Sequence, residues 1–287
     1  MLFEREDGSF KAALKTLGMK PGDIVCVTAD LKTVLFQMAT EYGVTERSQR
    51  DVAFHSLVNT FQELIGSEGT LLFPAFSWDW CKGKGFDIRS TKGEVGTLSN
   101  WVLLNRQDFV RTRHPIYSFL VWGKDANVLQ AMDNQDAWSH SSPFYYFQKH
   151  GAKWLLLNVE ADHSLTFAHY LEQETHVPYR HPKYFFGNYT DENGNTEKRM
   201  YSMHVRDLEV ESHCAVRNDW LVKKNVATRV IWEENEIILV DLQKSYPVIF
   251  DDMVNHNGIN TISFTKGSLD WNAKQTVPYE VKGMELA

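Results

Sequence analysis

The sequence predicts an α/β fold: a mixed, mostly parallel central sheet flanked by helices, with an inserted β-hairpin lobe. Three observations carry that reading. Six short apolar runs of β type recur along the chain, a long amphipathic stretch at helical spacing separates the first two, and one aromatic segment is split by an Asn/Gly turn. With 287 residues, 43% of them apolar and 13% aromatic, the chain can bury a sizeable core without cross-links.

The N-terminal MLFEREDGSFKAALKTLG carries acids and a short amphipathic stretch, where an export signal needs a basic start and an unbroken apolar run. DIVCV (23–27) is the first strand. From about Ser48 to Ile65 the apolar residues Val52, Phe54, Leu57, Val58, Phe61, Leu64 and Ile65 fall at helical spacing, and GSEGT then turns the chain into the strand TLLFP (70–74). Strand, helix and strand together predict a parallel crossover. SFLVW (118–122), KWLLLNV (153–159), ATRVIW (227–232) and EIILVDL (236–242) supply the remaining strands. In YFFGNYTDENGNTEKRMYSMHVRDL (184–208) an aromatic strand, a DENGN turn and an alternating strand spell a hairpin, which we place as a lobe over the site. No repeat, low-complexity tract or Gly/Ser/Pro-rich linker interrupts the chain, so residues 1–287 read as a single domain with the inserted lobe at about 184–210.

Bulk chemistry excludes several functions. The net charge is −7 and the Lys and Arg residues are scattered singly, so no basic stripe exists to track nucleic acid. No window approaches the roughly 18 consecutive apolar residues of a membrane-spanning helix. The cysteines Cys26, Cys81 and Cys214 are odd in number and widely spaced, which offers neither a disulfide framework nor a CxxC metal pair and suits a reducing cytoplasm.

Three segments could carry chemistry. SLTFAHYLEQE (164–174) opens with Ser164 as an N-cap and continues as a helix; Thr166, His169, Glu172 and Gln173 share one arc, Phe167, Ala168 and Leu171 another. His169 and Glu172, three apart, can pair so that the carboxylate orients the imidazole and raises its basicity, as deprotonating an ammonium before acyl transfer requires. An exposed helix face with an incidental His–Glu pair explains the same residues. In RTRHPIYSF (111–119), Pro115 forces His114 out of helical geometry at a strand entrance, where basic and hydroxyl groups can grip an anionic or carbonyl-bearing arm; on these residues alone a surface loop is the better reading. VTADLKTVLF (27–36) follows the first strand and could offer backbone N–H groups, Lys32 and Thr33 to a phosphate, without the glycines of a P-loop or dinucleotide fingerprint.

Taken in order, GTLLFPAFSW (69–78), FD (86–87), GEVGTLSNW (93–101), VRTRHPIYSFLVWG (110–123), SSPF (141–144), GAKWLLLNV (151–159), LTFAHYLE (165–172) and VPYRHPKYF (177–185) resemble the aminoglycoside 3-N-acetyltransferase family over about residues 20–190. The resemblance implies that family's α/β fold, acetyl-CoA as co-substrate, no metal, and direct transfer to a bound amine. It places the base on His169 with Glu172 as its partner and Thr166 beside them. It places CoA contacts on Lys32, Thr33, Pro74, Phe76, Arg111, Thr112, His114 and Ser118; the acceptor contacts expected from the aromatic, polar and basic residues on the other side are Trp78, Asn100, Tyr179, Arg180 and Lys183.

Two positions depart from the family pattern. Its glutamate after G-x-L-S is Asn100 here, removing an acid from the acceptor side, and its glycine after the LLL strand is Asn158, which predicts a different path for the loop reaching Thr166. FSWDWCKGKGFD, RTRHPIYSF and THVPYRHPKYFFG look more like the branch that acts on amino-deoxy sugars in surface-glycan (lipopolysaccharide) biosynthesis, with a nucleotide-linked sugar as acceptor, than like the resistance enzymes. Tyr179, Arg180, His181 and Lys183, with Arg199 and Arg206, would then form a diphosphate clamp, although a solvated basic face fits them too.

The expected partners are therefore small molecules in the cytoplasm, with no nucleic acid and no membrane insertion; a homodimer is compatible. The rival readings are a covalent route through Cys81 or Cys26, a metal hydrolase built on His163, His169, His176, His204, His213 and Cys214, whose spacings match no HExxH or CxxC pattern, an aminoglycoside-modifying enzyme, and a silent CoA- or sugar-binding protein.

Overall fold

The structure, a computed structural model, describes residues 10–34, 47–208, 210–270, 273 and 275–277. In chain order the strands are β1 (Ile24–Ala29), β2 (Thr70–Pro74), β3 (Phe86–Asp87), β4 (Val110–Arg111), β5 (Phe119–Gly123), β6 (Lys153–Leu157), β7 (Arg180–Thr190), β8 (Thr196–Arg206), β9 (Glu211–Cys214), β10 (Ala227–Trp232), β11 (Asn235–Asp241) and β12 (Ile262–Lys266), followed by a short pair, Ser268–Asp270 and Gln275–Val277.

Seven of these strands form one sheet in the order β10-β11-β6-β1-β2-β5-β4. All six runs expected from sequence lie in it; the two-residue β4 is the addition. The predicted crossover is present: β1 and β2 pair in parallel, with Val25 opposite Leu71, and the helix Arg47–Ile65 joins them. β6 pairs with the other side of β1, also in parallel. The flanks are antiparallel, so β5 and β11 run against the other five strands.

Helices cover both faces, which explains why the central strands read as continuous apolar runs instead of alternating ones. One face packs Cys26, Leu72, Phe119, Trp154, Leu156 and Ile238 against the helices Pro143–Lys149, Phe167–Glu174 and Leu242–Asn255. The other packs Val25, Leu71, Phe73, Leu155 and Leu239 against Phe10–Leu17, Arg47–Ile65 and Thr97–Asn105. Phe61, fully buried in that second layer, would cost about 3–5 kcal/mol to truncate to Ala. Val52, counted on the apolar face from spacing, is instead 56% exposed. Among the described residues no helix is long and apolar enough to cross a membrane.

The hairpin begins at Arg180, four residues before the expected start, because pairing with β8 continues to Arg180 opposite Arg206. Pro182 is tolerated there because β3 pairs with β7 only at Tyr189 and Thr190, which leaves β7 an edge strand at its proline. Gly187 lets the hairpin close on the body: a Cβ there would meet the Trp80 ring at 2.7 Å. Residues 135–137 run along the other side of β8, with Ser202 N–H donating to the Gln135 carbonyl (2.8 Å) and Ala137 N–H to the Ser202 carbonyl (3.0 Å).

Candidate active site

Helix Phe167–Glu174 presents the expected pair. Phe167, Ala168, Tyr170 and Leu171 anchor it in the core, and His169 and Glu172, one turn apart, face each other. His169 Nδ1 lies 2.6 Å from Glu172 Oε2, with the carboxylate 5% exposed and the imidazole 28%. Tyr179 Oη donates to Glu172 Oε1 at 2.8 Å, and Arg180 Nε sits 2.6 Å from Oε2. Burial alone would raise the Glu172 pKa. The Arg180 charge, then the His169 charge and the hydrogen bonds from His169 and Tyr179, outweigh it and hold the carboxyl down at about 2. An ionised carboxylate can only accept, so Nδ1 carries the imidazole proton and Nε2 keeps its lone pair. That tautomer is the one a general base needs.

A cleft of about 280 Å³ opens at the C-terminal ends of β1 and β2; its lining reaches Thr166 but includes neither His169 nor Glu172. Val27, Thr28, Ala29, Phe73, Pro74 and Phe76 form its floor, Val95, Gly96, Leu98 and Ser99 one wall, and Val159, His163, Ser164 and Thr166 the other. Three expected residues, Pro74, Phe76 and Thr166, therefore line one space, and His169 follows Thr166 by a single helical turn. Lys32, exposed, and Thr33, half-buried, come just after β1 and outside that lining; the Lys32 N–H caps back onto Asp30 Oδ1 (3.0 Å). Asn158 has φ 55°, a left-handed conformation that Asn adopts at little strain.

The RTRH segment is corrected. Arg111 is 4% exposed and spends its fork internally, on Ser118 Oγ (3.0 Å) and the carbonyls of Thr91 (2.6 Å), Ala75 (2.9 Å) and Ile88, while lying over the Phe86 ring. Burial lowers its pKa to about 10. Thr112 Oγ1 accepts from Phe119 N–H (2.8 Å), Ser118 Oγ donates to the Ala75 carbonyl (3.0 Å), and His114 is buried with Nδ1 accepting from Tyr117 N–H (3.2 Å), its pKa lowered by burial to about 4. These four residues brace the strand ends that shape the cleft and do not line it: Arg111, Thr112 and Ser118 make the internal bonds named above, and His114 Nε2 is buried without a hydrogen-bond partner.

The acceptor residues are corrected in part. Asn100 turns inward and clamps Gly93, accepting from its N–H and donating to its carbonyl, both at 2.9 Å. Tyr179 and Arg180 support Glu172. The proposed diphosphate clamp does not assemble: His181 pairs with Asp207 (2.7 Å), Arg199 with Glu197 and Asp133, and Arg206 reaches the Ser212 carbonyl. Trp78 stays half-buried, its N–H held by Glu94 Oε1 (2.8 Å), and Lys183 is exposed with its ammonium over the Phe185 ring.

Sequence reading missed Trp138, whose buried ring stands 6.1 Å from the His169 ring and 4.4 Å from that of Tyr117. It follows an Asp-Ala pair in a loop, with no periodicity to mark it. Cys81 is a poor nucleophile, since burial pushes its thiol up to about 11. Among the described residues no three His, Cys, Asp or Glu side chains gather as a metal ion would need.

Residues 47–252 match the family model described as aminoglycoside 3-N-acetyltransferase. The chain is 31% identical over 189 residues to aminoglycoside N(3)-acetyltransferase III of Serratia marcescens, a match that covers 59% of this chain and 65%, slightly under two thirds, of that protein. Among solved structures, an AAC-IIIb binary complex with CoASH superposes with a TM-score of 0.63 at 18% identity, covering 85% of this chain and 94% of that one. The YokD protein from Bacillus subtilis gives 0.66 at 18%, covering 87% and 95%, and sisomicin-bound AAC-VIa gives 0.67 at 16%, covering 85% and 95%. At these identities the structural likeness speaks for the fold.

Proposed function

From the premise that this chain belongs to the aminoglycoside 3-N-acetyltransferase family, we propose that it is an acetyl-CoA-dependent N-acetyltransferase that acylates the amino group of an amino-deoxy sugar directly, with His169 as general base. The observation that carries this reading is the buried Glu172 carboxylate fixing His169 Nδ1 at 2.6 Å, one turn from the cleft residue Thr166. The cleft's lining, apolar along Val27, Phe73, Pro74, Phe76, Val95 and Leu98 and polar at Thr28, Ser99, His163, Ser164 and Thr166, suits a pantetheine arm.

His169 Nε2 takes a proton from the incoming ammonium, and Glu172 stabilises the imidazolium so formed. Bound acetyl-CoA supplies the thioester carbonyl: the amine nitrogen bonds to its carbon and loses a second proton to solvent, the C–S bond breaks, and the imidazolium gives its proton to the departing thiolate, leaving the amide, the thiol and one released proton. Glu172, held near pKa 2, does not compete for that proton. No covalent acyl-enzyme is required, in keeping with the raised Cys81 thiol.

The acceptor is a nucleotide-linked amino sugar of surface-glycan synthesis, acted on in the cytoplasm. The charge arrangement near Trp78 supports this over a polycation, which would need several unpaired carboxylates. Asp79 is countered by Lys84 (2.9 Å) and Lys82, Glu94 by Lys82 (3.6 Å), and the family's glutamate is the inward-turned Asn100. Lys183 and the half-buried Trp78 and Phe185 remain for an anionic, ring-bearing acceptor. The second reading, an aminoglycoside acceptor, is favoured by the name of the Serratia marcescens relative. Thiol release from acetyl-CoA against a panel of nucleotide-linked amino sugars and aminoglycosides decides between them: turnover of nucleotide sugars alone is expected, and turnover of aminoglycosides alone would overturn the acceptor assignment.

A further inference from the structure

One carboxylate outside the catalytic pair ties the Trp138 loop and the hairpin strand β8 to the helix that carries His169. Asp136 Oδ1 accepts from the Trp138 backbone N–H and from Gln173 Nε2, both at 2.9 Å, and Asp136 Oδ2 accepts from Ser202 Oγ at 3.0 Å. The first bond seats Trp138, whose indole flanks the imidazole. The second holds the catalytic helix at the residue next to Glu172, and the third fastens β8 of the hairpin. The imidazole is thus held at Nδ1 by Glu172 and bordered across its ring by a wall that Asp136 keeps in place.

The geometry points to Asp136 as a positioning residue for His169, the joint through which the hairpin lobe and the Trp138 loop set the orientation of the general base. This rests on His169 acting as that base. Losing the carboxylate leaves the Trp138 N–H, the Gln173 amide and the Ser202 hydroxyl without their acceptor, so that, although the loop keeps its backbone bonds to Ser202, the imidazole gains room to turn. Misplacement of a reacting group by about 1 Å can cost about 100-fold in rate. The acetyl-CoA cleft, built on β1 and β2, has no bond to Asp136, so donor binding is left intact. Asparagine is nearly isosteric: its carbonyl oxygen can replace Oδ1 toward Trp138 and Gln173, and its amide can donate to the Ser202 hydroxyl in place of Oδ2.

The test is thiol-release kinetics for wild type, Asp136→Ala, Asp136→Asn and Gln173→Ala, with folding checked by thermal melts. Asp136→Ala is expected to lower kcat about 10- to 100-fold with the acetyl-CoA KM within about twofold. Asp136→Asn should stay within about threefold of wild type, and Gln173→Ala, which removes one of the three bonds, should lower kcat by a smaller factor. An unchanged kcat in Asp136→Ala, an equal loss in Asp136→Asn, or a KM rising in step with the fall in kcat would overturn the assignment. Should Asp136→Ala not fold, Gln173→Ala decides, and a wild-type kcat there overturns it. His169→Ala run alongside separates the two readings. If His169→Ala is dead while Asp136→Ala is normal, only this inference fails; a fully active His169→Ala removes the general-base reading and this one with it.

Discussion

Replacing Glu172 by Gln is the perturbation whose consequences the geometry defines best. Three groups converge on this carboxylate: His169 Nδ1 and the Arg180 cation at Oε2, each 2.6 Å away, and the Tyr179 hydroxyl, which donates to Oε1 from 2.8 Å. An amide has a single oxygen. If its NH2 takes the Oε2 position it faces the Arg180 cation and forces His169 to accept at Nδ1, which puts the proton on Nε2 and removes the base. If it turns toward Tyr179, the tautomer survives but the imidazolium formed in the transition state loses its counter-charge. Loss of base catalysis spans about 10²- to 10⁴-fold, and a wrong tautomer alone reaches about 10⁴ in comparable His–carboxylate sites. Glu172→Gln should therefore lose roughly 3–5 kcal/mol of transition-state stabilisation. The assay is thiol release at saturating acetyl-CoA and acceptor near neutral pH, with the acetyl-CoA KM expected within about threefold of wild type because Glu172 does not line the cleft. A kcat within about threefold of wild type would refute the reasoning.

Glu172 should also mark acid stability. Its folded pKa, near 2, lies below the ordinary 4.5, so its contribution, roughly 3 kcal/mol at most, is whole above about pH 4.5 and is lost as pH falls toward 2; melts of wild type and Glu172→Gln should converge over that window. His114, buried neutral with a folded pKa of about 4, is depressed in the same sense, so stability should begin to fall below about pH 6.5, and a His114→Phe variant that folds should show a weaker decline between pH 6.5 and 4. Cys81→Ala should keep full activity and show no acetyl adduct by mass spectrometry, because the thiol stays protonated at neutral pH; a large loss of kcat would reopen the covalent route. Asn100→Ala leaves the Gly93 N–H and carbonyl unpartnered, so it should destabilise the fold by about 1–3 kcal/mol and raise the acetyl-CoA KM through the Val95–Gly96 wall without changing acceptor preference; a changed preference would restore Asn100 as an acceptor contact.

The sheet was legible because its strands are covered on both faces: TLLFP and KWLLL must be apolar throughout, and no helix of that length would be bounded by such turns. β4, two residues long, leaves no periodic trace, and the hairpin's first residues were hidden because Arg180, His181 and Pro182 look like a loop until they are seen paired with β8. In the site, His169 and Glu172 could be read because both lie on one helix, three residues apart. Their supports could not. Tyr179 and Arg180 return to Glu172 only after the chain turns at His176, whose φ is 51°, and Asp136 acts across three segments distant in sequence. The RTRH motif misled for a different physical reason. A run of Arg, Thr and His looks ligand-facing, but the neighbouring apolar strand β5 draws Arg111, Thr112 and His114 inward, where Arg111 and Thr112 bond mostly to backbone.

The most direct test is a comparison of wild type and His169→Ala in acetyl-CoA thiol release with a nucleotide-linked amino sugar, alongside calorimetric binding of CoA to both. We predict that the variant binds CoA as wild type does and turns over at least 100-fold more slowly at pH 7, with rates recovering as rising pH deprotonates the acceptor amine itself. A variant that acetylates the sugar as fast as wild type at pH 7 would contradict the assignment of His169 as the base.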